Sequence, residues 1–421
     1  MRTPVTVEEL RVPRKLLEDL ALKTLYLVGE MTLIQLADHM RISLRIVEEI
    51  FQRLRREQLC QVTGMVGGIH QIVTTSEGKT RATELLAQSQ YGGPAPVALE
   101  DYVARVHEQT VRNMDVSPTA VHRAFEHLVL DPETLVQLGT AVVSGRAIFL
   151  HGPSGTGKTT VADSLWHLFQ QDPIWVPHAV VVDGQVITVY DPAVHHASEQ
   201  AAPPDADRRW MLCRRPRVMV GGELTIEMLD LQFNSVSKFY AGPIQMKANN
   251  GLLIIDDFGR QRVRPEELLN RWVVPLDRNI DFLTLAGGRK IEIPFDLLVV
   301  FATNLDPATL VDEAFLRRIQ TKIKLDNVAP EQFHDITRRV CEQFDLHYDP
   351  AVVDHLIDTI AGKLKQPLRA CYPRDIVQHV VWSARYERRK PSLDRETVAQ
   401  ACRSYFLSPD DGGGRGVPTV H

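Results

Sequence analysis

The 421 residues carry 48 Lys and Arg against 53 Asp and Glu, a formal net charge of −5, with 44% hydrophobic and 24% charged residues. That balance describes a globular chain of about two to four domains and excludes a chain-wide basic field for nucleic acid. No apolar run reaches the roughly 18 residues of a membrane span, so no membrane insertion is expected. The five cysteines are widely spaced without a C-x-x-C pair, and the opening MRTPVTVEELRVPRK lacks the apolar core of a secretory signal. Both features predict reduced thiols in a cytoplasmic protein, with no zinc site.

Residues 1–90 read as a winged helix-turn-helix. A first helix is expected over Pro13 to Val28, broken by Gly29. Thr32 and Gln35 have capping-box spacing for a second helix through His39. Ser43 stands where it would cap a third, whose Ile46, Ile50 and Leu54 recur at a spacing of four. Leu59 to Thr63 and Ile69 to Thr75, joined around Gly67-Gly68, carry a hairpin signal and would form the wing. A last helix is expected over Thr80 to Gln88. The unit holds 12 Lys and Arg against 11 Asp and Glu, a net of +1. The third helix mixes Arg45, Arg53, Arg55 and Arg56 with Glu48, Glu49 and Glu57, not the clustered basic face of a DNA reader. Docking to DNA and docking to protein both stay open.

Residues 91–140 read as a linker, YGGPAP from Tyr91 to Pro96, and a helical lead-in at Leu99 to Met114 and Pro118 to Leu128. Leu128 to Val142 is a candidate apolar wrap for a base. Ala147 to Leu150 then forms a buried strand. Gly152, Pro153, Ser154, Gly155, Thr156, Gly157, Lys158 and Thr159 fit G-x-x-x-x-G-K-[ST], followed by Thr160 and a helix over Val161 to Phe169. Strand, glycine-rich turn and helix are the context of a phosphate-binding loop. Inward backbone N–H groups and the helix N-terminus hold an anion. Lys158 would reach the β- and γ-phosphates of ATP, and the Thr159 hydroxyl would sit on Mg²⁺.

Val180 to Tyr190 is a hairpin around Asp183-Gly184, and Asp191 to Arg209 a polar surface loop. Adjacent His195 and His196 in an extended loop point different ways and do not suggest a metal site. Gly251 to Gly259, GLLIIDDFG, reads as a second nucleotide-site strand ending in two carboxylates. Ligands of open α/β sheets bind at that carboxyl edge. Asp256 would hold Mg²⁺ through water and Asp257 would polarise the attacking water; Asp here is one methylene shorter than the Glu common at this position. Leu283 to Ile293 is a further hairpin around Gly287-Gly288. It precedes the strand Leu297 to Thr303 and Asn304. Arg317 and Arg318 close the segment Asp312 to Ile319. Helices at Glu331 to Phe344, Ala351 to Ala361, Arg374 to Arg388 and Arg395 to Phe406 follow. The composition of Ser408 to His421 is that of a disordered tail.

Phosphate loop, Asp-Asp strand, Thr303-Asn304 strand end, paired arginines and the Pro373-Arg374-Asp375 helix start, in this order over residues 140–407, resemble an AAA+ ATPase. The hairpin before Asn304 is similar to the pre-sensor-1 group that includes MoxR-type chaperones. The resemblance implies an α/β P-loop parallel sheet with flanking helices (141–327) and a C-terminal helical lid (328–407). It implies that Asn304 holds the attacking water or the γ-phosphate and that Arg374 reaches the phosphates from the lid. Arg318, with Arg317 in reserve, would complete the site of the next subunit in a homo-oligomeric ring, often a hexamer. KFYAG (Lys238 to Gly242) faintly resembles an aromatic pore loop, but it lies so close before Asp256 that Phe239 and Tyr240 are expected in the core. Three functions fit: a MoxR-like remodeller of a protein client, favoured; a DNA-associated switch or motor; and a non-hydrolysing scaffold that assembles on ATP.

Overall fold

The computed structural model describes residues 2–170, 172–310 and 316–406. The expected tail from Ser408, and Asp312 to Phe315 of the arginine segment, lie outside the described residues.

The first 90 residues fold as helices Arg14–Val28, Leu33–Met40 and Leu44–Arg56, then the hairpin Cys60–Val66 and Ile69–Thr74, then helix Ser76–Gln88. Met31–Thr32 pairs antiparallel with Ile69–Thr74. The Thr32–Gln35 capping box forms in both directions, at 3.2 and 2.8 Å. Ser43 takes the N-cap position without a side-chain cap, and its Oγ is buried without a partner among the described residues. The last helix begins at Ser76, four residues before the expected Thr80, because Thr75 caps it by accepting from the Gly78 N–H at 3.0 Å. A Cβ at Gly78 would stand 1.9 Å from the Leu59 carbonyl oxygen, so close packing is what requires glycine there.

Tyr91 to Pro96 is not a loose linker. Tyr91 is buried, its hydroxyl donates to Pro94 O at 2.6 Å, and Ala95 N–H donates to Met40 O at 2.8 Å. Ala179, Val181 and Val186 join the core of the first 90 residues, so this unit packs directly on the hairpin Ala179–Val182 and Gln185–Thr188.

Among the described residues the central sheet has five strands, in the order Arg217–Val220, Leu252–Ile255, Leu298–Thr303, Ile148–His151, Thr321–Lys324, with every neighbouring pair parallel. Helices cover both faces, which is why the inner strands read as continuous apolar runs. Phe149, Leu253, Ile255, Val299 and Phe301 face Phe258 and Trp272; Ile148, Leu150, Ile254 and Val300 face Val161, Ala162 and Leu165. Burying a side chain of this size stabilises the fold by roughly 1.5–3 kcal/mol. Sequence reading missed Arg217–Val220. It is a four-residue edge strand that alternates exposed and buried, and Arg217 and a short length conceal its signal.

A second sheet runs Gln232–Phe233, Tyr240–Ala241, Gln185–Thr188, Ala179–Val182, Val97–Ala98. Tyr240 is buried there, as expected of a core residue, and Phe239 packs edge-on against Tyr91 at 5.6 Å. Asp191 to Arg209 is, as expected, mostly exposed loop, but it buries His195, Ala206, Asp207 and Arg209. Arg209 is buried in an ion pair with Asp207 and donates to Leu10 O and Pro96 O, each at 3.2 Å. His195 is buried too, stacked on Tyr190. The hairpin Ile280–Thr284 and Lys290–Pro294 directly precedes Leu298–Thr303. The C-terminal helices Pro330–Gln343, Pro350–Ile357, Tyr372–Tyr386 and Arg395–Tyr405 share a core around Phe333, Leu356, Ile376 and Val380. No helix among the described residues is long and apolar enough to cross a membrane.

Candidate active site

Parallel pairing sets three strand ends side by side. Thr303 lies opposite His151, and Ile255 opposite Phe301, so the residues that follow them, Gly152, Asp256 and Asn304, gather at one carboxyl edge. Helix Lys158–Ser164 starts at that edge. Gly152 (φ 138°) passes the neighbouring strand so closely that a Cβ would sit 2.1 Å from Leu325 O. Gly155 (φ 80°) is packed under the C-terminal helices, where a Cβ would meet Cys371 Sγ at 2.7 Å. The loop is therefore a glycine cradle by steric necessity.

Lys158 is 6% exposed and folds back on the loop, donating from Nζ to Gly152 O at 3.0 Å and Pro153 O at 2.6 Å. Burial pushes its pKa down from the ordinary value, and the nearby Asp256 and Asp257 oppose that shift. Thr159 Oγ1 lies 2.9 and 3.1 Å from the two carboxylate oxygens of Asp256.

The adjacent carboxylates diverge. Asp257 sits at φ 48°, a left-handed backbone that costs a non-glycine residue about 1–2 kcal/mol. Local bonds hold it there: its N–H donates to Asp256 Oδ1 at 2.9 Å, Phe258 N–H to Ala302 O at 2.7 Å, and Gln261 Nε2 to Asp256 O at 2.7 Å. Asn304 Nδ2 donates to Asp257 Oδ1 at 3.1 Å. One carboxylate thus serves the loop hydroxyl and the other the neighbouring strand's amide, an arrangement able to separate metal holding from water orientation.

These groups line a cleft of about 810 Å³ between sheet edge and C-terminal helices. Ser154 through Thr160 form its floor, with Asp256, Asp257, Arg260 and Asn304 on one side and Arg374 on the other. Cys371 N–H donates to Gly155 O at 3.0 Å and seats the helical region on the loop. Leu128, Val129 and Leu130 line an apolar slot opposite Ile336 and Val340. The rest of the expected wrap becomes helix Pro132–Ser144. Gly152 and Pro153 do not line the cleft; their carbonyls anchor Lys158. Arg317 is exposed, Arg318 Nε donates to Asp277 Oδ2 at 3.1 Å, and neither lines this chain's own cleft.

Sequence reading missed His127, Arg260, Ile336, Arg339, Val340, Gln343 and Cys371. The spacing of Ile336, Arg339, Val340 and Gln343 puts them on one helix face, but nothing in the chain says which face of which helix meets a loop some 180 residues earlier.

Residues 329–404 match a family described as a domain of unknown function (DUF8689). No curated protein matches the chain. Among solved structures it is similar to the RuvB Holliday junction branch migration motor of Thermotoga maritima, at 15% identity over 70% of this chain and 72% of that one, with a TM-score of 0.37. It is also similar to a mutant of that RuvB, at 14% identity over 69% and 71%, with a TM-score of 0.38.

Proposed function

We propose that the cleft binds ATP with Mg²⁺ and hydrolyses it to ADP and phosphate, as an AAA+ protein does. The observation that carries the reading is the pair of contacts Thr159–Asp256 and Asp257–Asn304 around one glycine cradle. The donor set fits the metal: a hydroxyl and a single carboxylate suit Mg²⁺, which keeps several waters and takes its other ligands from phosphate. Held by Thr159 and Asp256, Mg²⁺ would offset negative charge on the phosphates. Lys158 exchanges its loop carbonyls for phosphate oxygens and stays charged beside two carboxylates. Asp257 accepts a hydrogen bond from the attacking water and so orients it, while Asn304 fixes Asp257 and faces the same water. Arg374 approaches the phosphates from the lid.

Arg318, with Arg317 in reserve, stands outside its own cleft and would serve the cleft of a neighbouring subunit in a homo-oligomeric ring, a hexamer being favoured. The hairpin before Leu298–Thr303 supports placement in the pre-sensor-1 group, and with it a MoxR-like remodeller. The first 90 residues act as a winged helix that recruits a protein client. Ion pairing on the third-helix side supports protein over DNA: Arg53 pairs with Glu18 and Glu57, and Arg14 with Glu49. Those pairs would have to be broken before the arginines met phosphate.

The test is phosphate release from ATP by the full chain with Mg²⁺ and with a chelator, with and without duplex DNA, followed by capture of clients on an Asp257→Asn trap. Mg²⁺-dependent turnover indifferent to DNA supports the reading. Salt-sensitive duplex binding with DNA-stimulated turnover selects the DNA motor instead. Tight ATP binding with no turnover selects a scaffold.

A further inference from the structure

On the reading that the cleft holds ATP, we infer that Arg339 is a latch that sets how long the nucleotide stays, by holding the base slot closed. Arg339 belongs to helix Pro330–Gln343 of the C-terminal region, yet its Nη1 donates to two carbonyls of the opposite wall, Glu126 O at 2.5 Å and Leu128 O at 3.1 Å. Between those carbonyls stands His127, whose Nε2 lies 3.0 Å from Ser164 Oγ at the end of the helix that begins at the phosphate loop. One short turn is therefore tied on one side to the phosphate-loop helix and on the other to the C-terminal helices.

The turn runs straight into Val129 and Leu130, which with Leu128, Ile336 and Val340 supply apolar lining to the cleft. Ile336 and Val340 flank Arg339 on the same helix face, so the latch and the apolar wall it positions move as one body. The phosphates rest elsewhere, on the loop and on Lys158. Arg339 also lines a second, open depression with Glu126, Pro132 and Leu135 on the outer side of the turn. Arg339 shares both linings with Leu128 and Leu130, so its side chain is part of the wall between the depression and the slot, and its loss would thin that wall. Both bonds come from one terminal nitrogen, whose two N–H groups reach the two carbonyls at once, at the end of a side chain long enough to span from helix to turn. Arg339 is a positioning residue: it acts on the nucleotide through the walls it joins.

Two probes separate the latch from the phosphate cradle: mant-ATP, which carries a base, and inorganic tripolyphosphate, which does not. Arg339→Ala should release mant-ATP about tenfold faster than the parent while binding tripolyphosphate with parental affinity. Arg339→Lys should fall between parent and Ala. Parental release of mant-ATP by Arg339→Ala overturns the latch and leaves the ATP reading intact. Equal weakening of both probes, with a lowered melting temperature, also overturns it, since a merely structural residue would do that. A parent chain that binds neither probe overturns the ATP reading and the latch together.

Discussion

Thr159 Oγ1 and the Asp256 carboxylate, 97 residues apart in sequence, meet at 2.9 and 3.1 Å where the phosphate-loop helix starts beside a strand end two places along the sheet. The contact joins the two halves of the cleft before any nucleotide arrives. The same carboxylate also accepts from the Asp257 N–H at 2.9 Å, so it braces both the loop and the backbone of its neighbour.

Lys158→Ala should weaken ATP binding by at least about 100-fold, ~2.7 kcal/mol, because the loop loses its one ammonium. Titration with mant-ATP checks this. Parental affinity in the variant would remove the phosphate-loop assignment. The neutral side chain cannot bond Gly152 O and Pro153 O either, so circular dichroism should accompany the titration.

Asp257→Asn should keep ATP bound and slow turnover by about 10²–10⁴-fold, the range for loss of a positioned proton acceptor. Asn304→Ala should move in the same direction by less, since it removes the amide 3.1 Å from Asp257 and leaves the carboxylate. Asp256→Asn should raise the Mg²⁺ concentration needed for half-maximal turnover. Parental turnover in Asp257→Asn would mean that another residue positions the water.

Arg318→Ala should bind ATP almost normally and hydrolyse it poorly, since a guanidinium supplied from a neighbour contributes about 10³–10⁵ in rate in other phosphoryl-transfer systems. Mixed with Lys158→Ala subunits, which keep Arg318, it should regain activity. The parent's turnover per chain should rise with concentration. A monomer in sedimentation with ATP, with turnover unchanged by dilution, would sink the ring.

His195 should make the fold acid-sensitive. Its Nδ1 accepts from Asp191 N–H at 3.0 Å, so Nε2 carries the proton it donates to Lys247 O at 2.9 Å. Burial pushes its pKa down to about 4 from the ordinary 6.5, against the opposing pull of Asp191. The unfolded chain then binds the proton first, so this contribution is complete above pH 6.5 and is lost as pH falls toward 4. The loss is about 3 kcal/mol over that window. Chemical denaturation between pH 4 and 7 should show a shallower pH slope in His195→Gln than in the parent. Equal slopes would place the imidazole in water.

The amino-acid sequence by itself determined the chemistry and the local elements. Glycines at 152, 155 and 157, Lys158, Thr159 and the Asp256-Asp257 pair are readable because backbone turns and phosphate chemistry demand those residue types at fixed short spacing. The capping box at Thr32 and the turns at Asp183-Gly184 and Gly287-Gly288 are readable for the same reason: the physics lies within a few residues. Only the tertiary structure decided what meets across the fold. Burial of Asp207, Arg209 and His195 in a stretch as polar as a surface loop depends on partners at Leu10, Pro96 and Lys247. The strand Arg217–Val220 exists because Leu252–Ile255 offers it an edge. Arg339 is one arginine among many until helix Pro330–Gln343 is laid against the turn at Glu126 and Leu128. Long-range contacts of this kind are fixed by which apolar faces bury together, and a face can be read from spacing while its partner cannot.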